Sequence, residues 1–448
     1  MMDYAAIGAL GFFVALALLL LRVPIGFTLV AVGTGCTLVA YSSRQGLPFD
    51  LARGINPTLG LIEAHGFEFV HSYSLSMIPL FILTGHVAYH ARITTDIYDA
   101  VRVWLARLPG GLAIASLIGC AGFSAITGSS LACASSMGRI CVPEMLKQGY
   151  APRLATAAVA AGGTLGSLIP PSVLFIMYGL FTETSISKLF MAGIGPGLLS
   201  LAGFIATVMI WTWLRPSIAP RAQTVFSRAE RAEALLRAWP AVVLVALVVG
   251  GIYTGVFTAT EAAAVSMVFV VGFGFLSRRL SLAAFLDSAR ETAVQSAALF
   301  FIAVGAKIFV SFVSLTGVTR ALVDLVAHAG MPDWMVLVCI VALYLAMGMF
   351  LDPLGTILLT LPFVVPLVES MGLDLIWFGV IVVKLLEIGL ITPPVGLNVF
   401  VIGSVTGPEV KIHAIFAGVS RFLIMELVVL DLLLAFPALS LFIPNQAF

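Results

Sequence analysis

Residues 162–178 read GGTLGSLIPPSVLFIMY. The stretch is apolar enough to lie in a bilayer, yet it holds two adjacent prolines, Pro170 and Pro171. Each proline lacks an N–H, and its ring crowds the carbonyl four residues back. The residue before a proline also avoids helical angles, and Pro170 is itself such a residue. A helix cannot run straight through this point. In hydrocarbon, the freed backbone groups need partners in protein, water or ions. The spacing therefore predicts a broken helix that lines a cavity.

The same break recurs at residues 386–400, LEIGLITPPVGLNVF, with Pro393 and Pro394. A shift of 223 positions superposes the two proline pairs, and with them Gly166 on Gly389, Pro143 on Pro366, Gly149 on Gly372, Lys188 on Lys411 and Gly195 on Gly418. A shift of 220 matches Phe81, Ile82 and Gly85 with Phe301, Ile302 and Gly305. The chain thus reads as one unit duplicated, residues 1–214 and 238–448, joined by an Arg-rich linker at 215–237. Interrupted hydrophobic segments at corresponding places in two halves point to a transporter binding site.

Composition sets the class. The chain has 448 residues, 60% of them hydrophobic and 10% charged, with a mean hydropathy of +1.11. A soluble domain is about 25% charged. The fold class expected is an all-α polytopic membrane protein, with no room for a sizeable soluble domain. The net charge of +1 decides nothing, because the placement of charge matters and not the sum; without a basic patch, nucleic acid is not expected as a partner. The five cysteines form no CxxC, which argues against disulfide and metal frameworks. The first apolar run, Ala5–Leu21, lacks a positive n-region and reads as a retained helix, not a signal peptide.

Within each half the pattern predicts scaffold helices, a lateral amphipathic segment, a re-entrant hairpin and the broken helix. Residues 42–72 read as a mixed connection along the interface. Residues 93–108 and 316–330 are the lateral segments. Hairpin one covers 111–149 with its tip at Gly128–Ser130, and hairpin two covers 334–371 with its break near Asp352–Pro353. A last helix is expected near 414–434. Residues 215–237 are the long polar loop, with Arg215, Arg221, Arg228, Arg231 and Arg237, which the positive-inside rule puts in the cytoplasm. Counting outward from it leaves Arg44, Arg53, Lys188 and Arg320 outside and the other basic residues counted inside, including Arg139 and Lys147. Each half then crosses five or six times in opposite sense, an inverted repeat.

Two hairpin tips and two broken helices are expected to meet near the midplane. Unwound carbonyls and hydroxyls suit a hard cation such as Na⁺, and half-helix N-termini suit an anion. One Na⁺ is expected at Gly128, Ser129, Ser130, Gly166 and Pro170, and a second at Asp352, Thr356, Gly389, Thr392 and Gly396. Ser130, Ser172 and Asn398 are expected to face substrate. The plainer reading of the Ser and Thr residues is helix packing. Asp352 is a lone carboxylate at membrane depth, a functional hypothesis by default, and is also well placed to cap a helix beginning at Pro353. Lys384 and Glu387 are three apart and read as a structural pair with each other. His86 and His90 share a helix face and read as an interfacial pair, since no further ligand accompanies them. No GxSxG, HExxH or phosphate loop is present, so neither ATP hydrolysis nor an organic cofactor is expected.

GFSAITGSSLACASSMGRICVPEMLKQGY (122–150), AAGGTLGSLIPPSVLFIMYG (160–179), GMFLDPLGTILLTLPFVVPL (348–367) and EIGLITPPVGLNVFVI (387–402) closely resemble the large membrane subunit of tripartite ATP-independent periplasmic (TRAP) transporters. The likeness runs over nearly the whole chain. It implies an elevator-type transporter of the bacterial inner membrane, driven by a Na⁺ gradient. It also implies a separate four-helix membrane subunit and a periplasmic binding protein that delivers an organic acid. Pro353 and Gly355 depart from the small polar residues of the family's second tip. Other readings are a stand-alone Na⁺/anion symporter of similar architecture and, last, an intramembrane hydrolase, for which Ser129 has no evident base.

Overall fold

The computed structural model describes residues 4–43, 48–220, 226–407 and 410–447. Arg44 and Arg221, used in the charge count, lie outside the described residues. The described residues are helical, with no strand among them.

The first half opens with α1 (Tyr4–Leu20), α2 (Ile25–Ser42), α3 (Leu51–Val70) and α4 (Met77–His90). The lateral helix α5 (Ile93–Leu105) follows, then hairpin one, formed by α6 (Gly111–Thr127) and α7 (Ser130–Lys147). The first broken helix is α8 (Pro152–Gly163) and α9 (Val173–Thr182), and α10 (Ile186–Leu214) closes the half. The linker contains α11 (Arg228–Arg237). In the second half, α12 (Trp239–Val245) and α13 (Gly251–Tyr253) are joined through a widened turn, followed by α14 (Ala259–Leu276) and α15 (Leu282–Thr316). The lateral helix α16 (Val318–His328) precedes hairpin two, α17 (Asp333–Gly348) and α18 (Pro353–Ser370). The second broken helix is α19 (Leu375–Ile391) and α20 (Leu397–Thr406); α21 (Ile412–Ala435) and α22 (Ala438–Ala447) end the chain.

Among the described residues five helices are long and apolar enough to cross a membrane, or up to eight when bent pairs count as one. The half-helices α9 and α20 have 10 residues each. At 1.5 Å per residue they reach about 15 Å, half of a hydrocarbon core of about 30 Å. Large apolar side chains such as Phe13, Ile210, Val268 and Val338 are exposed on the outside, where lipid would cover them. By contrast α19 buries every residue from Trp377 to Ile391, and α8 every residue from Leu154 to Gly163. These two helices form the centre of the body that carries the site. α8 packs on α6, α7 and α21, and α19 on α17, α18, α10 and α21. Alongside stands a frame in which α2 packs along α15 and α4 along α14.

Matched positions behave alike. The Pro170–Pro171 and Pro393–Pro394 bonds are both cis, and Gly149 and Gly372 have φ of +79° and +67°. Both hairpins turn where a cap begins the second arm. Ser129 caps α7 through Ala132 N, and Asp352 caps α18 through the N–H groups of Leu354 and Gly355. Residues 129 and 352 are themselves 223 apart.

Several expectations change. Residues 42–72 are not a mixed connection: most of them form α3, a 20-residue helix that tolerates Pro57. The linker is not all loop, because Ser227 and Glu230 form a reciprocal cap that starts α11, and Arg231 stacks over Trp104 of α5. The last helix expected near 414–434 is followed by a further one, α22. The lateral helix α5 buries Ile93, Ile97, Tyr98 and Val103 in protein, and its Arg102 reaches Glu144 of α7 at 3.2 Å. Its counterpart α16 buries no residue fully; Thr319 ties it to the Pro362 carbonyl of α18 at 3.1 Å.

Candidate functional site

The tip of hairpin one seats on the first helix break. Gly128 ends α6 with φ +64°, a conformation that only glycine adopts without strain. Its carbonyl accepts from Val173 N at 3.2 Å, so the tip closes directly onto the first turn of α9. Ser172 caps α9 by accepting from Phe175 N at 3.3 Å. Gly166 backs the tip: a Cβ there would stand 2.7 Å from the backbone of Ser130.

Above this seat lies a cavity of about 750 Å³. Three helix N-termini border it. Ser129 to Ala132 come from α7, Val173 and Leu174 from α9, and Asp352 to Leu354 from α18. The first turn of a helix carries partial positive charge, so the α7 and α9 turns favour an anion, whereas the α18 turn is already capped by the Asp352 carboxylate. Glu387 and Leu390 of α19 form part of the wall, and α4 and α15 contribute His86, His90, Glu291 and Gln295. Arg139, on α7 nine residues beyond Ser130, also lines the cavity, about 13 Å along the helix. No carboxylate pairs with Arg139 among the described residues.

The cavity gathers Gly128, Ser129, Ser130 and Asp352 from both expected cation clusters. Gly166 supports it from behind, and Pro170 is buried. Thr356 is fully buried and donates to the Asp352 carbonyl at 3.0 Å. Gly389 packs on hairpin two, with the Gly348 carbonyl 2.7 Å from where a Cβ would stand. Thr392 donates to its own helix at Ile388 O, 2.6 Å, and Gly396 packs against Phe416. Thr356, Gly389, Thr392 and Gly396 do not line this cavity. Neither does Asn398, which is buried and donates to the Ala160 carbonyl of α8 at 3.2 Å. Its Oδ1 has no partner among the described residues.

Two pairings were not foreseen. Lys384 and Glu387 do not bind each other. Lys384 Nζ pairs with Glu426 of α21 and donates to Ser200 Oγ of α10 at 2.8 Å. Glu387 points the other way and accepts from Ser130 Oγ at 2.7 Å. Residues three apart on one helix are adjacent but not obliged to meet, and each here finds a partner on a different element. His86 does not pair with His90 but lies 3.1 Å from Glu291, joining α4 to α15.

Residues 12–439 match the family model described as Tripartite ATP-independent periplasmic transporter, DctM component. The chain belongs to this family. It is 36% identical to the C4-dicarboxylate TRAP transporter large permease protein DctM of Pseudomonas aeruginosa, over 85% of this chain and 88% of that one. It is 30% identical to the Sialic acid TRAP transporter large permease protein SiaM of Vibrio cholerae, over 96% of each. It is 34% identical to the Ectoine/5-hydroxyectoine TRAP transporter large permease protein UehC of Ruegeria pomeroyi, over 84% of this chain and 87% of that one. Among solved structures, the YdaH transporter of Alcanivorax borkumensis superposes with a TM-score of 0.64 at 15% identity, covering 94% of this chain and 98% of that one. MtrF of Neisseria gonorrhoeae gives 0.63 at 13%, covering 92% and 95%. At that identity the likeness concerns the fold. The DctM-family chain is a multi-pass membrane component of a transporter, not an enzyme.

Proposed function

We propose that this DctM-family chain is the large permease subunit for Na⁺-driven uptake of an organic acid across the bacterial inner membrane. A four-helix membrane subunit braces it, and a periplasmic binding protein hands substrate to it. The observation that carries this reading is the convergence of three helix N-termini on one cavity. A carboxylate fits there, and Arg139 offers a fixed cation on the same wall. The similarity to C4-dicarboxylate permeases favours a four-carbon dicarboxylate as first candidate.

The cations are assigned to the two tip-and-break pairs. Hydroxyl and carbonyl oxygens at Gly128, Ser129 and Ser130 serve the first. Asp352, Thr356 and the unwound carbonyls near Gly389, Thr392 and Gly396 serve the second. Asn398 Oδ1, buried without a donor among the described residues, suits an ion better than the substrate role expected from sequence. The two halves act as inverted copies, and the body around α8 and α19 moves against the frame as an elevator. Each charge moved through the field gains about 2.3 kcal/mol per 100 mV. Two Na⁺ balance a dicarboxylate and a third makes transport electrogenic, so at least two are coupled.

Co-reconstitution with the two partner proteins tests this. Uptake of labelled C4-dicarboxylate is expected only with an inward Na⁺ gradient and the binding protein. Equal uptake without Na⁺ removes the coupling, and equal uptake without the binding protein makes the chain a stand-alone symporter.

A further inference from the structure

Trp211, one turn before the end of α10, is buried and carries two arginines on its ring. Arg421 of α21 places its Cζ 4.1 Å from the ring centroid, and Arg153, in the first turn of α8, places its Cζ 5.9 Å away. A third arginine, Arg215, follows directly on α10, and its backbone N–H donates to the Trp211 carbonyl at 3.0 Å. The chain beyond it turns back to the start of α8, where Ala151 N donates to Ile218 O at 2.8 Å. Arg153 and Arg215 are the neighbouring charges that act on Arg421, and both repel it.

Arginine stays charged in proteins, so the cluster cannot relieve this repulsion by losing a proton. It has no carboxylate either. The arginines in ion pairs among the described residues are Arg53, Arg102, Arg237 and Arg279. Glu426, on the same helix as Arg421, is taken by Lys384. Arg421 gives one N–H to the Ala417 carbonyl at 2.9 Å, within its own helix. The guanidinium donors of Arg153 and Arg215 meet no acceptor among the described residues. Three fixed cations therefore share one ring and lack a counter-ion.

The surroundings say which anion fits. Ile210, Trp213 and Leu214 of α10 and Ile424 of α21 are exposed within three residues of Trp211 or Arg421. Lipid chains would cover such side chains, and an exposed tryptophan suits headgroup depth. A guanidinium fork matches a phosphate bidentately and stacks on an aromatic face at the same time. On the topology expected from the charge count, this end of the molecule faces the cytoplasm, and that leaflet is the negatively charged one.

We infer that Arg153, Arg215 and Arg421 form a phosphate site, filled by the headgroup of an anionic phospholipid. The phosphate neutralises the three cations, and the acyl chains lie along the exposed sides of α10 and α21. The site is separate from the cavity, whose lining includes none of the three arginines. Only its assignment to the cytoplasmic leaflet rests on the proposed function.

The test needs neither Na⁺, substrate nor partner proteins, so its failure is distinct from a failure of the transport reading. The full chain in detergent is titrated with dioleoyl phosphatidylglycerol, with dioleoyl phosphatidylcholine, or with inorganic phosphate. Native mass spectrometry counts retained lipid, and thermal melting reports stabilisation. Phosphatidylglycerol is expected to be retained as one tight adduct and to raise the melting midpoint, and the other two to do neither at equal concentration. Arg153→Gln with Arg421→Gln is expected to cut that retention at least about tenfold. Arg215→Gln is expected to cut it less; Arg215 is exposed, so this variant carries the test even where the double variant loses its fold. Arg237→Gln, in the linker and already paired with Glu233, is expected to change nothing. Equal retention of the two lipids overturns the inference, as does full retention in Arg215→Gln or an equal loss in Arg237→Gln. Inorganic phosphate that stabilises as well and displaces the lipid overturns the lipid as occupant.

Discussion

Gly166 lies so close to Ser130 that a Cβ on the glycine would stand 2.7 Å from both the amide nitrogen and the Cα of Ser130. Its counterpart Gly389 stands in the same relation to hairpin two, with the Gly348 carbonyl 2.7 Å away. In each half a glycine lets a hairpin backbone lie against a broken helix.

Gly166→Ala and Gly389→Ala are each expected to push a hairpin off its seat. Overpacking costs about 1–3 kcal/mol. Thermal unfolding in detergent is expected to show that loss, and uptake is expected to fall further than stability, because the displaced element carries the site.

The pair Lys384–Glu426 is wholly buried. Removing one partner of a buried ion pair leaves an uncompensated charge and costs about 3–5 kcal/mol. Lys384→Met is expected to destabilise the chain by that amount, and Lys384→Met with Glu426→Leu to recover most of it. Melting curves of the single and double variants check this.

Arg139 faces the cavity with no carboxylate partner among the described residues. A hydrogen bond to a charged group contributes about 1.5–3 kcal/mol. Arg139→Gln is expected to weaken uptake of a dicarboxylate at least about tenfold, read from the concentration dependence of transport.

Glu230 is exposed in the linker, and the Ser227 N–H, then the Ser227 hydroxyl, hold its carboxyl below the usual carboxylate range. The folded value is the lower one, so the cap stabilises α11 above the ordinary carboxylate value of about 4.3. That stabilisation is lost as pH falls through the folded value. Protection of the residue 228–237 amides, measured against their intrinsic exchange rate at each pH, is expected to fall in acid, and in Glu230→Ala to be low and independent of pH.

What was legible in the sequence was local chemistry. Pro170–Pro171 and Pro393–Pro394 announce their breaks by covalent structure alone. Gly128–Ser129 and Asp352–Pro353 announce the tips by capping grammar. The partner choices were not legible. Glu387 reaches Ser130 across 257 residues, and no neighbour rule along one helix could find that. The available signal was position, since Glu387 stands two residues before Gly389, the glycine that matches Gly166. The helix α11 was missed for another reason. Its arginines read as loop, although Ser227 and Glu230 already spelled a reciprocal cap.

On the proposed function, the cavity bordered by the three N-termini holds substrate together with its cation. Ser135 lies half-buried on α7 within that cavity. The decisive measurement is the rate at which a thiol reagent labels Ser135→Cys, with Cys36 and Cys339 replaced, in the presence of Na⁺, of C4-dicarboxylate, and of both. The expected result is clear protection by the two together and little by either alone; a labelling rate indifferent to both would contradict it.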